Sequence, residues 1–169
     1  MSALTMYTAS VPSFSHTLKN LSEILAKAEA HATARKIDPS VLLGARLYPD
    51  MFALTRQVQI ACDGAKGCAA RLAGLDVPRH EDTETTFAQL QERIAKTIAF
   101  IESVPADKIA GSEDRRVVLT LRGQDVTFTG LQYLTAFVLP NFYFHVVTTY
   151  DILRHNGVEL GKRDFLGNV

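Results

Sequence analysis

The chain has 169 residues, 47% of them hydrophobic, and its 18 basic and 18 acidic side chains cancel to a formal net charge of zero. A chain of this length builds one domain, expected here over residues 1–169. It buries roughly 70% of the surface its unfolded form exposes, so no disulfide or metal staple is required. The charges are scattered rather than blocked, which excludes the electrostatic footprint of a nucleic-acid or anionic-membrane partner.

At the N-terminus, Met1-Ser2-Ala3-Leu4-Thr5 lacks a basic region followed by an apolar run, so no signal peptide is expected. Phe14, Leu18, Leu21, Leu25, Ala28 and Ala32 then recur at steps of four and three, the stripe of a first long helix ending near Arg35. His16, Asn20, Glu23 and Lys27 fall on another, solvated face. Pro12 is compatible with the helix only near its start or at a kink. Asp38 followed by Pro39 predicts a capped short turn of helix through Leu43, before Gly44.

After Tyr48-Pro49-Asp50, the residues Met51, Leu54, Val58, Ala61, Ala65, Cys68 and Leu72 predict a second long helix from Asp50, closed by Gly74. Gly64 and Gly67 weaken its interior by about 1 kcal/mol each, which predicts a close approach of another helix backbone. Cys62 and Cys68 are the only cysteines. On a helix they lie about 240° apart with roughly 9 Å of rise, so they read as unpaired buried residues of a reducing cytoplasm. Thr83 is the expected cap of a third helix with the stripe Phe87, Leu90, Ile94, Ile98 and Ile101, ending before Pro105.

The period then changes to two. Val117, Leu119 and Leu121 alternate with Val118, Thr120 and Arg122, and Arg122-Gly123-Gln124-Asp125 turns the chain into Val126-Thr127-Phe128, a short β-hairpin. Thr129 and Gln132 stand in the reciprocal capping arrangement that opens a fourth helix, which runs to about Arg154 and closes on Asn156-Gly157. Leu131 to Tyr150 carries no charge and is as long as a membrane span. Gln132, Thr135, Asn141, His145, Thr148 and Thr149, with Pro140 at the middle, make it a core helix instead. Four helices with a hairpin before the last predict an all-α helix bundle, whose sites are built from side chains on facing helices.

On the fourth helix Leu134, Val138, Asn141, His145, Thr148 and Ile152 share one stripe. A histidine there serves as a general base or metal ligand, or simply as a paired core group satisfied by Asn141 or a threonine. Gln57 or Gln59 of the second helix is placed to complete the cluster, Gln57 lying closer to the face of Leu54, Ala61 and Gly64. A catalytic zinc usually takes three protein ligands, and only one inward histidine is evident. His16, His31, His80 and His155 read as surface groups.

Tyr48-Pro49-Asp50-Met51-Phe52, Arg56-Gln57-Val58-Gln59, Arg71-Leu72-Ala73-Gly74, Leu139-Pro140-Asn141-Phe142-Tyr143-Phe144-His145 and Ile152-Leu153-Arg154-His155-Asn156-Gly157-Val158 resemble an uncharacterised bacterial branch of the DinB-like (YfiT-like) superfamily of metalloenzyme folds. The resemblance covers nearly the whole chain. It implies an up-down-down-up four-helix bundle, a homodimer and, in members that keep three histidines, a mononuclear nickel or zinc centre used for thiol-dependent transfer or isomerisation. By that resemblance His145 matches the second histidine of the last-helix pair, Asn141 replaces the first, and Gln57 or Gln59 stands near the second-helix ligand.

Three functions follow as expectations. The first is binding of a small polar ligand in a bundle pocket at Gln57, Asn141 and His145, with the metal site degenerate and His145 its remaining ligand. The second is a metal-dependent, thiol-using transferase or isomerase. The third is a non-catalytic dimeric scaffold in which the polar cluster fixes helix register.

Overall fold

Helix α1, Val11–Arg35, buries Phe14, Leu18, Leu21, Leu25, Ala28 and Ala32, the whole of its apolar stripe. Pro12 sits in its first turn, where the missing N–H is not needed. The computed structural model describes residues 4–168. Met1, Ser2 and Ala3, on which much of the signal-peptide expectation rests, lie outside the described residues. Asp38 caps α2 (Pro39–Leu43) by accepting from Ser40 N at 2.9 Å.

The second long helix, α3 (Leu54–Ala73), starts later than expected. Residues 48–51 form a turn in which Met51 N–H donates to Tyr48 O at 3.0 Å, and Leu54 N–H reaches Ala45 O at 2.9 Å. Met51 therefore belongs to the turn and not to the helical stripe. Gly74 closes α3 with φ +70°, the left-handed conformation that glycine adopts without strain. In α4 (Phe87–Ser103) the cap is Thr86 rather than Thr83. Its hydroxyl accepts from Gln89 N while Gln89 Oε1 accepts from Thr86 N, each at 3.2 Å. A capping box needs Glu or Gln three residues on, and three residues after Thr83 stands Thr86.

After the short α5 (Ala106–Ile109), strands β1 (Val117–Leu121) and β2 (Gln124–Phe128) pair antiparallel from Val117 opposite Phe128 to Leu121 opposite Gln124. Thr129 and Gln132 cap α6 (Gly130–Gln132) reciprocally, as predicted. The chain then continues through a π-helical stretch, Tyr133–Val138, into α7 (Leu139–His155), and ends with α8 (Lys162–Leu166). Pro140 has no N–H, and in a regular helix its ring crowds the carbonyl four residues back. Here the preceding turn is widened, with Leu139 N–H donating to Leu134 O five residues earlier.

α3 packs along both α7 and α4, and α1 along α4 and α8. Phe14 meets Phe142 edge-on at 4.8 Å between ring centres, joining α1 to α7 in the middle of the core. The hairpin docks on the widened turn: Phe128 lies 6.3 Å from Tyr133 and 5.6 Å from Phe137, and those two rings stack at 6.1 Å. The protein is thus a mostly helical bundle with one hairpin held against the start of its last long helix.

Candidate functional site

Gln57 and His145 meet across the α3–α7 contact. Gln57 Nε2 donates to Phe52 O at 3.0 Å, which leaves its Oε1 to accept, and that oxygen lies 2.6 Å from His145 Nδ1. The bond therefore carries its proton on Nδ1, and Nε2 keeps a lone pair. Among the described residues no protein group bonds that second nitrogen. Burial, with a smaller contribution from the Arg56 charge, holds the imidazole below its ordinary range, so the ring is neutral at pH 7. Both side chains are buried, Gln57 to 1% and His145 to 7% exposure.

Asn141 shares the helix with His145 but not its hydrogen bond. It is half-buried and lines a cleft of about 490 Å³ bounded by α3, strand β1 and the π-helical turn. Ile60, Asp63, Gly64 and Arg71 of α3 form one wall, Val118 to Leu121 another, and Tyr133, Phe137 and Val138 the third. Ile60 stands three residues after Gln57 and Asn141 four before His145, so this end of the cleft lies about one helical turn from the pair.

Gln59 faces elsewhere. Its Nε2 donates to Glu84 at 2.8 Å and its Oε1 accepts from Arg56 at 3.2 Å, within an ionic network centred on Arg93. Arg93, 2% exposed on the inner face of α4, contacts Asp63 and Asp82 at 2.9 Å, Glu84 at 3.0 Å and the Glu81 carbonyl at 3.1 Å. Lys66 adds a second cation to Asp63 at 3.0 Å, and Arg56 pairs with Asp82. Burial works against the Glu84 charge, yet the hydrogen bonds from Arg93 and Gln59 outweigh it and its acidity rises. The sequence carried a signal for this hub, since Arg93 lies between Leu90 and Thr97 on a buried stripe. It was masked by the charged outer face of the same helix.

The glycines of α3 differ from expectation. A Cβ on Gly64 would meet nothing within 4 Å, and one on Gly67 would collide with the Arg71 guanidinium, so no helix backbone approaches either residue. Gly67 instead makes room for Arg71 to fold back along its own helix, where it donates to the Tyr133 hydroxyl at 3.0 Å. Of the other histidines, His16 bonds the Leu166 carbonyl at 2.7 Å, and His155 is exposed at the end of α7. His80 is half-buried rather than a free surface group: it lines a second cleft of about 320 Å³ beside Arg93, and its Nδ1 is buried without a partner.

The family described as a domain of unknown function (DUF1993) matches residues 6–166. The chain belongs to this family. It is also similar to the crystal structure of a DinB family member protein from Shewanella denitrificans, with 45% sequence identity and a TM-score of 0.91 over 96% of this chain and 92% of that one. No curated protein matches the chain.

As a DinB-like protein it does not hold the donors of a three-histidine centre. Nδ1 of His145 is engaged by Gln57, the Asn141 amide lines the neighbouring cleft, and Gln57 spends its oxygen on the histidine. Among the described residues no group of three or more His, Cys, Asp or Glu side chains is arranged to hold a metal ion. Amide oxygens and one imidazole are a poor set for nickel or zinc, so the residues present do not fit the implied metal. No helix among the described residues is long and apolar enough to cross a membrane.

Proposed function

We propose that this DinB-like protein binds a small polar organic molecule in the cleft of α3, β1 and the last helix. Asn141 supplies the cleft's amide, and His145, one turn beyond it, serves as a neutral hydrogen-bond and proton acceptor. The observation that carries the reading is the Gln57–His145 bond, which fixes the Nδ1–H tautomer and leaves the Nε2 lone pair without a protein partner. A cleft of about 490 Å³ is within the range of small-molecule sites, roughly 300–1,000 Å³. In this role no metal is needed, because the imidazole is already in the base form at neutral pH.

The test is a thermal-shift screen of polar metabolites on the parent and on His145→Ala. Ligands that stabilise the parent are expected to lose their effect on the variant. A His145→Ala protein that folds normally and answers every ligand as the parent does overturns the reading.

We further infer a homodimer and a cytoplasmic location. Phe144 and Val147, 55% and 40% exposed and three residues apart on α7, are large apolar groups on one outer face. The two buried free cysteines suit a reducing compartment. Light scattering of the parent and of Phe144→Asp tests the dimer, which is expected in the first and lost in the second.

A further inference from the structure

Gly64 lies inside α3, where alanine would strengthen the helix, and its missing side chain accommodates no neighbour. It faces open space in the cleft that Asn141 lines. A helix position that forgoes stability without a packing reason marks a place where space itself is used.

The charges along the same cleft are unequal. Asp63 is compensated twice, by Lys66 at 3.0 Å and Arg93 at 2.9 Å. Among the described residues no acidic side chain pairs with Arg71. Its guanidinium is held by the Tyr133 hydroxyl at 3.0 Å and lies 5.9 Å from the centre of that ring. Because Arg71 is the donor in this bond, the phenolic proton remains available. Burial pushes the Tyr133 hydroxyl up to about 12, so it keeps that proton at any ordinary pH. The cleft thus holds one uncompensated planar cation and one neutral O–H donor side by side, against walls that include Leu119, Phe137 and Val138.

We propose that the cleft takes a small organic carboxylate, its anionic head on Arg71 and Tyr133 and its carbon body along Leu119, Phe137 and Val138, with Gly64 leaving the room. The inference rests on the cleft-binding reading above and names the class of ligand. A single guanidinium fork with one added hydroxyl matches the two oxygens and single charge of a carboxylate. The larger charge of a phosphate would call for further cations, and the others nearby, Arg93 and Lys66, are already committed to Asp63.

The experiment titrates the whole ¹⁵N-labelled protein with hexanoate and phenylacetate and, in parallel, with hexanamide and phenylacetamide, following the backbone and side-chain amide signals of Gly64, Arg71 and Asn141. The acids are expected to shift these signals and to bind about tenfold or more tightly than their amides, the margin of a hydrogen bond to a charged group. Arg71→Gln is expected to erase that margin. Gly64→Leu, whose Cβ meets nothing within 4 Å, is expected to fill the cleft and abolish binding of both kinds, with a melting curve like the parent's as the check that it folds. If the amides bind as tightly as the acids, or Arg71→Gln keeps the preference, the carboxylate assignment falls while the cleft reading stands. If none of the four probes moves the cleft signals, or Gly64→Leu binds them unchanged, the carboxylate assignment falls, and the thermal-shift comparison of the parent with His145→Ala decides the cleft reading separately. The acid–amide comparison is made on the parent protein and depends on no variant.

Discussion

Asn141 and His145 stand four residues apart on one helix, yet no hydrogen bond joins them. His145 is tied to Gln57 at 2.6 Å, while Asn141 lines the neighbouring cleft of about 490 Å³. The polar stripe of the last helix therefore divides: His145 turns to Gln57 of α3, which sets its tautomer, and Asn141, one turn away, faces the cleft. What does not suit nickel or zinc is the donor set itself, two amides and one imidazole whose Nδ1 is already engaged by Gln57.

Removing the glutamine should expose the dependence of the pair. Gln57→Leu leaves the Nδ1–H of His145 buried without an acceptor, and an orphaned buried donor costs roughly 1–3 kcal/mol. Urea denaturation of the variant is expected to show a loss of that size with the slope unchanged. A variant as stable as the parent would mean that the pair contributes nothing to folding.

The stability of the protein should fall as the solution becomes acidic. Burial, then Arg56, depress the folded-state affinity of His145 for a proton, whereas in the unfolded chain it titrates near about 6.5. The unfolded state therefore takes up the proton first. The contribution is complete above about pH 6.5, and it is lost as pH falls from there through the folded-state value. His80, held low by burial, Lys66 and Arg93, acts in the same direction. Melting temperatures between about pH 7 and 5 are expected to slope less in His145→Gln than in the parent, and an unchanged slope would remove His145 from the account.

Gly64→Ala should stabilise the protein by about 0.5–1 kcal/mol, the usual gain from replacing a helix-interior glycine, since the added Cβ meets nothing within 4 Å. Gly67→Ala should not, because its Cβ displaces Arg71 from the Tyr133 hydroxyl. The two melting curves check the contrast directly. Equal effects would show that the space beside the two glycines is the same.

Arg93→Met should be among the most damaging single changes. It leaves the largely buried Glu84 without its cation, while Asp63 keeps Lys66 and Asp82 keeps Arg56, so the expected loss is about 3 kcal/mol, the low end of what breaking a buried ion pair from one side costs. Denaturation at neutral pH measures it. A loss below about 1 kcal/mol would show that solvent already screens the network as it does surface ion pairs.

The long helices were legible because each carries its apolar residues at helical spacing, and every stripe residue of α1 is buried as its phase requires. The hairpin was legible from the change of period at Val117 and the turn at Gly123, where φ is +79°. Helix starts were harder to read. Met51 fits the α3 stripe by spacing but is drawn into a turn after Pro49, and Thr83 resembles a cap but lacks the partner that Thr86 finds in Gln89.

The site was legible only in part because α3 is buried on two sides, against α7 and against α4. Both Gln57 and Gln59 are inward, so periodicity cannot tell the one that meets His145 from the one that meets Glu84. The Arg71–Tyr133 contact joins residues 62 positions apart in the chain, and local spacing carries no trace of it.

The most direct test is a high-resolution crystal structure of the protein as purified without added metal, inspected at His145 Nε2 and along the cleft beside Asn141. Density is expected for ordered water or an organic molecule donating a hydrogen bond to Nε2, with the Gln57 bond to Nδ1 intact and no stoichiometric nickel, zinc or iron in the sample. A metal ion bound to Nε2, with Gln57 or Asn141 turned in to complete its ligands, would contradict it.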